Sequence, residues 1–311
     1  MVVQSAEPES GTAVRRSRVP AAVRALRPRQ WIKNVLVLTV PLAAGVLFRP
    51  AVLLDSALAF VAFCLISGCV YLINDIRDIE EDRLHPKKRL RPIPAGELRI
   101  SAAWVLAGIV GVAGFAIGFA TSVELGITLA VYLGLQIIYS TFLKHQPVID
   151  LAMVSSGFLL RAVAGGVAND LALSQWFLLV ASFGSLFMVA GKRYSEMLSL
   201  GAEAGTRRSL ARYSESYLRF AWMLAAAMVL ISYSLWAFEN LSRGAFGIGW
   251  TAISIAPFTL GLLRYAMDVD AGNAGEPEDV VLRDRVLQIF GLIWLVLIAV
   301  AVFTGRQQTG A

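Results

Sequence analysis

Apolar residues fill this chain in long unbroken runs, and the polar residues gather in short stretches between them. Neither the alternation of a half-buried strand nor the one-sided stripe of a soluble amphipathic helix gives that pattern. Runs that are apolar on every side for about 20 residues match a bilayer core of ~30 Å crossed at ~1.5 Å per residue. Nine spans are predicted, at residues 35–48, 51–73, 101–120, 123–139, 148–168, 173–190, 217–238, 248–265 and 286–303. The first is short, carries Pro41 and can be entered from Trp31. The expected fold class is an all-α polytopic membrane protein. In the third span Gly108, Gly111, Gly114 and Gly118 recur at three- and four-residue steps, which predicts close helix packing.

Charge gives the predicted topology a direction. Of the 28 Lys and Arg residues, 23 fall in the N-terminal segment and the even-numbered connections. Arg49, Arg243 and Arg306 fall on the other side, and Arg161 and Arg219 within or at the edge of spans. By the positive-inside rule the N-terminus and the even connections are cytoplasmic and the C-terminus lies outside. Residues 1–14 read as a disordered tail without the apolar stretch of a signal peptide, and 15–34 as a basic interfacial segment anchored by Trp31. A single transmembrane domain is expected over 35–303, followed by a short extracytoplasmic tail at 304–311.

Composition agrees: 57% of the 311 residues are hydrophobic, 16% are charged and the mean hydropathy is +0.65. The net charge of +6 does not indicate nucleic acid, because the cations are sorted by membrane side instead of lining one soluble face. Cys64 and Cys69 lie five apart on different faces of one apolar span and read as small core residues.

The candidate chemistry sits at the ends of spans. After the second span comes NDIRDIEEDRLHPKKRLRPIPAG, residues 74–96. Read as a continuing helix, Asn74, Asp75, Asp78 and Asp82 fall within about one quadrant at ~100° per residue. Carboxylates that close repel unless a cation sits between them, and an oxygen-ligated Mg2+ keeping positions open for substrate phosphates is the expected occupant. The rival reading is a solvated charged loop. Lys87, Lys88, Arg89 and Arg91 follow as candidate phosphate ligands. Arg29, Gln30, Lys33 and Asn34 stand at the mouth of the first span, where an anionic lipid headgroup lies. The fourth span ends with Tyr139 and leads through Lys144 to Asp150; Arg161, about three turns beyond, is expected on the same face and must meet a polar cavity or an acid. His145 has no second ligand nearby and is given no metal role. Past the sixth span stand Lys192, Arg193 and Glu196, and the eighth connection is long, acidic and rich in turn formers.

The motif NDxxDxxxD after the second span, set beside nine spans and a second polar loop after the sixth, resembles the UbiA superfamily of intramembrane prenyltransferases over nearly the whole chain. That resemblance implies a nine-helix bundle with a central cavity open to the cytoplasm and to lipid, and a Mg2+-bound diphosphate held by two aspartate-rich motifs. The chain departs where the second DxxxD is expected, having Lys192, Arg193 and Glu196 instead. With RPRQWIKN, YSTFLK and GEPEDVVLRDR, this departure is similar to a phosphoribosyl-transferring branch that serves actinobacterial cell-wall arabinan (arabinogalactan) synthesis. The substrates so implied are phosphoribosyl pyrophosphate and a polyprenyl (decaprenyl) phosphate in the plasma membrane, joined by a pentosyltransferase. A diphosphate at one end and a 5-phosphate at the other call for a metal site and for bare cations, which the two loops are expected to provide. The alternatives are a prenyltransferase acting on an aromatic acceptor, whose second DxxxD is missing, and a transporter, which calls for polar residues spread through the membrane depth. Monomer and homo-oligomer both stay open.

Overall fold

The computed structural model describes residues 19–143, 146–200, 210–240 and 249–309, and its regular elements are helices. Among the described residues eight helices are long and apolar enough to cross a membrane. They run along α1 (Pro50–Arg77), α2 (Ile100–Thr121), α3 (Val123–Ile138, extended by a π-helical turn to Leu143), α4 (Ile149–Val167), α5 (Gln175–Leu200), α6 (Glu215–Glu239), α7 (Ile255–Asp270, preceded by the short helix Trp250–Ile253) and α8 (Arg285–Thr309). The short tail expected from residue 304 continues as helix to Thr309.

The first predicted span takes a different form. Pro28–Leu38 is a 3-10 helix of 11 residues that passes into the five-residue α-helix Thr39–Ala43. At ~2.0 Å per 3-10 residue and ~1.5 Å per α residue it reaches roughly 30 Å, so it can cross with fewer residues than its neighbours. It packs on α1 and α4 and buries Val37, Val40 and Pro41. Gly165 of α4 makes that packing possible. A Cβ there would stand 2.8 Å from the carbonyl carbon of Val37 and closer still to its oxygen, so only a glycine lets the two backbones approach.

Among the described residues three cores hold the bundle; one joins Ala25, Leu72, Ile93, Ala103 and Ala107 around the start of α2. Phe63, Ile66, Leu125, Leu129 and Val37 join α1, α3 and the first segment, while Phe187, Tyr194, Leu218, Trp222 and Val269 join α5, α6 and α7. Gly111, Gly114 and Gly118 face α1 and α3 as expected, whereas a Cβ at Gly108 would meet open space. Cys64 and Cys69 are free and buried. Because successive spans alternate in direction, the ends of α1, α3, α5 and α7 and the starts of α2, α4, α6 and α8 share one end of the bundle. Charged residues cross-link that end.

Candidate functional site

The acidic loop begins as α1 leaves its apolar core. Leu72 is fully buried, and one turn later Asp75 is 1% exposed. The helix stops at Arg77; Asp78, at φ −95° and ψ 16°, turns the chain into a six-residue helix Ile79–Leu84. Asp82 thus lies beyond a break in the helix, although its N–H still donates to the Asp78 carbonyl at 2.8 Å. It meets Asp75 through a shared partner: Arg91 Nη1 donates to Asp75 Oδ1 at 3.0 Å and to Asp82 Oδ2 at 2.6 Å. Lys88 Nζ lies 3.4 Å from Asp82 Oδ1. Of the four cations expected near the aspartates, Lys87 and Arg89 are exposed, and the backbone N–H groups of Lys87 and Lys88 donate to His85 Nδ1. Asn74 and Asp78 are half-buried beside this cluster, the backbone N–H of Asp78 donating to the carbonyl of Asn74 at 2.9 Å.

Arg27 completes the cluster from the N-terminal side. It pairs with Asp75, lies 4.8 Å over the ring of Tyr71 and has a left-handed backbone at φ 53°. Burial pulls its guanidinium below the ordinary arginine value, and the neighbouring Asp75 opposes that pull. Trp31 Nε1 donates to the Leu26 carbonyl, and Arg24 pairs with Glu97, so the segment before the first span is clamped onto the acidic loop. Arg29 is exposed on that segment, and Gln30 and Lys33 are half-buried.

A second cluster forms between α4 and α5. Asp150 is fully buried and accepts from Arg193 Nη2 at 3.2 Å and from the Tyr213 hydroxyl at 2.8 Å. Arg193 Nη1 donates to Glu196 at 3.2 Å, and Lys192 Nζ lies 3.5 Å from Glu276 and 4.0 Å from Glu196. The expectation of bare cations is thus corrected, because three carboxylates oppose Lys192 and Arg193. One donor stays unmet: Arg193 Nε is buried and has no hydrogen-bond partner. The Tyr139 hydroxyl faces Arg193 from the π-helical turn Tyr139–Leu143 at the end of α3. Lys144 and His145 lie outside the described residues.

Arg161 does not pair with Asp150. It is 6% exposed and bonded to neutral groups: Asn34 Oδ1 at 2.7 Å, the Gly157 carbonyl at 2.6 Å, the Tyr132 hydroxyl at 3.0 Å and Ser67 Oγ at 3.3 Å. The rings of Tyr132, Phe63 and Phe158 lie 4.9, 5.7 and 5.9 Å from its guanidinium carbon, which gives the charge favourable aromatic faces. Asn34, expected at a lipid headgroup, is 1% exposed; its amide donates to Cys64 Sγ at 3.2 Å while its oxygen receives Arg161.

Residues 35–290 match the model of the UbiA prenyltransferase family. The chain belongs to that family. As a UbiA protein it is a multi-pass integral membrane protein. It is 48% identical to the decaprenyl-phosphate phosphoribosyltransferase of Mycolicibacterium smegmatis, over 96% of this chain and 97% of that protein. It is 49% identical to the enzyme of the same name from Mycobacterium tuberculosis, over 92% of this chain and 96% of that one. Among solved structures it resembles a UbiA homolog from Archaeoglobus fulgidus bound to GPP and Mg2+, with a TM-score of 0.68 and 15% identity over 92% of this chain and 99% of that one.

Whether the acidic cluster suits a metal can be judged from its own atoms. Among the described residues no three His, Cys, Asp or Glu side chains group tightly enough to enclose an ion by themselves. Two buried carboxylate oxygens, Asp75 Oδ2 and Asp82 Oδ1, nevertheless lack hydrogen-bond partners. That donor set fits Mg2+, which takes one or two carboxylates and completes its shell with water and phosphate oxygens. Sequence reasoning missed Arg27 and Tyr213. Both act from turns outside any regular helix, where no periodicity marks them.

Proposed function

We propose that this UbiA protein transfers 5-phosphoribose from phosphoribosyl pyrophosphate to a polyprenyl phosphate, decaprenyl phosphate by analogy with its relatives, and releases pyrophosphate. The observation that carries this reading is the 48–49% identity to two decaprenyl-phosphate phosphoribosyltransferases over nearly the full length of both partners. The two polar clusters support it: the unbonded Asp75 Oδ2, beside an Asp82 Oδ1 faced only by Lys88, suits a cation, and the unbonded Arg193 Nε suits an anion. A donor with a diphosphate at one end and a phosphate at the other presents both.

On this reading Asn74, Asp75, Asp78 and Asp82 hold the Mg2+-diphosphate end, with Arg91 and Arg27 placed to bind its oxygens. Arg193 takes the 5-phosphate with Tyr139 beside it, and Lys192 lies at the rim. Arg29, Gln30 and Lys33 bind the lipid phosphate where the first span enters the membrane, and Arg161 fixes that span through Asn34. Mg2+ supplies positive charge that stabilises the departing pyrophosphate. The bond between ribose C1 and the pyrophosphate oxygen breaks through an oxocarbenium-like transition state, and an oxygen of the lipid phosphate forms the new bond to C1 from the opposite face. No base is required, because a phosphate monoester is already ionised near neutral pH. Positioning and fixed charge carry the rate. The distribution of Lys and Arg supports a site on the cytoplasmic side.

The decisive experiment incubates the purified protein with phosphoribosyl pyrophosphate, polyprenyl phosphate and Mg2+. A phosphoribosylated lipid with stoichiometric pyrophosphate is expected. Transfer of a prenyl group to an aromatic acceptor, without that product, would overturn the reading.

A further inference from the structure

The turn that leads into α4 is strained. Val148 has φ 67° and ψ −51°, and the N–H of Ile149 donates to the Pro147 carbonyl at 2.7 Å, which closes a γ-turn around a β-branched residue. Such a conformation persists only where its surroundings over-determine it, and it gathers near functional sites. Here backbone bonds from Asp150 to Gln146 and from Ala152 to Val148, both at 3.0 Å, are joined by one side-chain hydroxyl. Tyr213 Oη accepts the Val148 N–H at 2.6 Å and donates its own proton to Asp150 Oδ1 at 2.8 Å. The ring of Tyr213 is held against Tyr217, with centroids 5.8 Å apart and planes 20° from parallel. Burial pushes the Tyr213 hydroxyl above the ordinary tyrosine value, so it stays a proton donor to the carboxylate at neutral pH.

From Asp150 the contacts run outward. Its second oxygen receives Arg193 Nη2 at 3.2 Å, and Arg193 reaches Glu196, which stands beside Lys192. Asp150 is fully buried, so it is a post that aims Arg193, whose Nε is the donor left unmet. We propose that Tyr213 is a positioning residue for the donor site: by locking the Val148 turn and the Asp150 carboxylate with one hydroxyl, it fixes the guanidinium of Arg193 in the orientation that receives the far phosphate of the donor. This deepens the function proposed above and rests on it.

Tyr213→Phe keeps the ring and its stacking and removes only the hydroxyl. The expected result is a rise of about tenfold in KM for phosphoribosyl pyrophosphate with KM for the lipid unchanged, and no further rise when Tyr213→Phe is added to Arg193→Ala. A second readout does not need turnover: phenylglyoxal labelling of Arg193, followed by mass spectrometry, should run several-fold faster in Tyr213→Phe than in the unsubstituted protein. Should Tyr213→Phe fail to fold, Asp150→Asn keeps the shape of the post, weakens its hold on Arg193 and is expected to raise donor KM and labelling alike. Additive effects of Tyr213→Phe and Arg193→Ala, or an unchanged labelling rate, would overturn the proposal. If the unsubstituted protein makes no phosphoribosylated lipid, the function above fails, and the labelling comparison still decides the role of Tyr213.

Discussion

Replacing Gly165 by alanine adds one methyl group at the tightest backbone approach between α4 and the first segment. The new Cβ would lie 2.8 Å from the Val37 carbonyl carbon and 3.3 Å from Pro41 Cδ. Neither neighbour is the flexible end of a side chain, so the first segment has to retreat by roughly 1 Å, at an overpacking cost of about 1–3 kcal/mol. The same segment carries Asn34 to Arg161, and Arg27 immediately before it meets Asp75, so the retreat reaches both polar networks. A misplacement of ~1 Å in a positioning group can lower turnover on the order of 100-fold. Gly134→Ala in α3 is the control. A Cβ there meets nothing within 4 Å, and alanine is the better helix former by ~0.5–1 kcal/mol. Thermal unfolding in detergent and formation of phosphoribosylated lipid should separate the two variants, with Gly165→Ala melting several degrees lower and turning over far more slowly. If Gly165→Ala matched Gly134→Ala in both assays, the close approach would not be what aligns the first segment with the site.

Asp75→Asn and Asp82→Asn are each expected to abolish turnover and to leave pyrophosphate binding without Mg2+ dependence in calorimetry; retained metal dependence in both would remove the metal assignment. Lys33→Ala should raise KM for polyprenyl phosphate several-fold more than KM for phosphoribosyl pyrophosphate, and equal effects would indicate a folding role. Asp284 accepts the backbone N–H groups of Leu287 and Val286 at the start of α8 and pairs with Arg264, contacts that hold its carboxyl below the usual carboxylate range. Its stabilising contribution is therefore present above the ordinary aspartate pKa and is lost as pH falls through the lowered value. Asp284→Asn should flatten the loss of melting temperature on acidification, and an unaltered acid profile would show that this cap does not set it.

The spans were legible because a bilayer demands an all-round apolar helix of nearly fixed length, and no other fold writes that pattern. The exception, the first span, shows where the rule fails. A 3-10 segment rises faster per residue, so its apolar run looks too short and its pattern follows no 3.6-residue period. The acidic motif was legible as a cluster, and the break within it was not. The residue types in NDxxDxxxD suit a cation, but the helix breaks at Asp78, and Asp75 and Asp82 meet across the break through Arg91, which lies beyond the helix in sequence. Asp150 and Arg161 were placed on one face by spacing alone. Spacing could not show that each has a nearer partner from another element, Arg193 for the acid and Asn34 for the base.

Internal pairing limits what each cluster can accept. At the first, Arg27, Lys88 and Arg91 already oppose Asp75 and Asp82, so a cation must use Asp75 Oδ2, which these partners leave unbonded, and compete with Lys88 for Asp82 Oδ1. At the second, Asp150, Glu196 and Glu276 oppose Lys192 and Arg193, and the group left unmet is a donor. A second metal would have to be held beside a buried guanidinium, against its repulsion; a phosphate is attracted to it. Having Lys192 and Arg193 at this loop therefore does more than set net charge. Keeping Asp150 and Glu196 holds the arginine still, and a fixed, partly neutralised guanidinium selects a ligand by where its charge lies as well as by how much charge it carries.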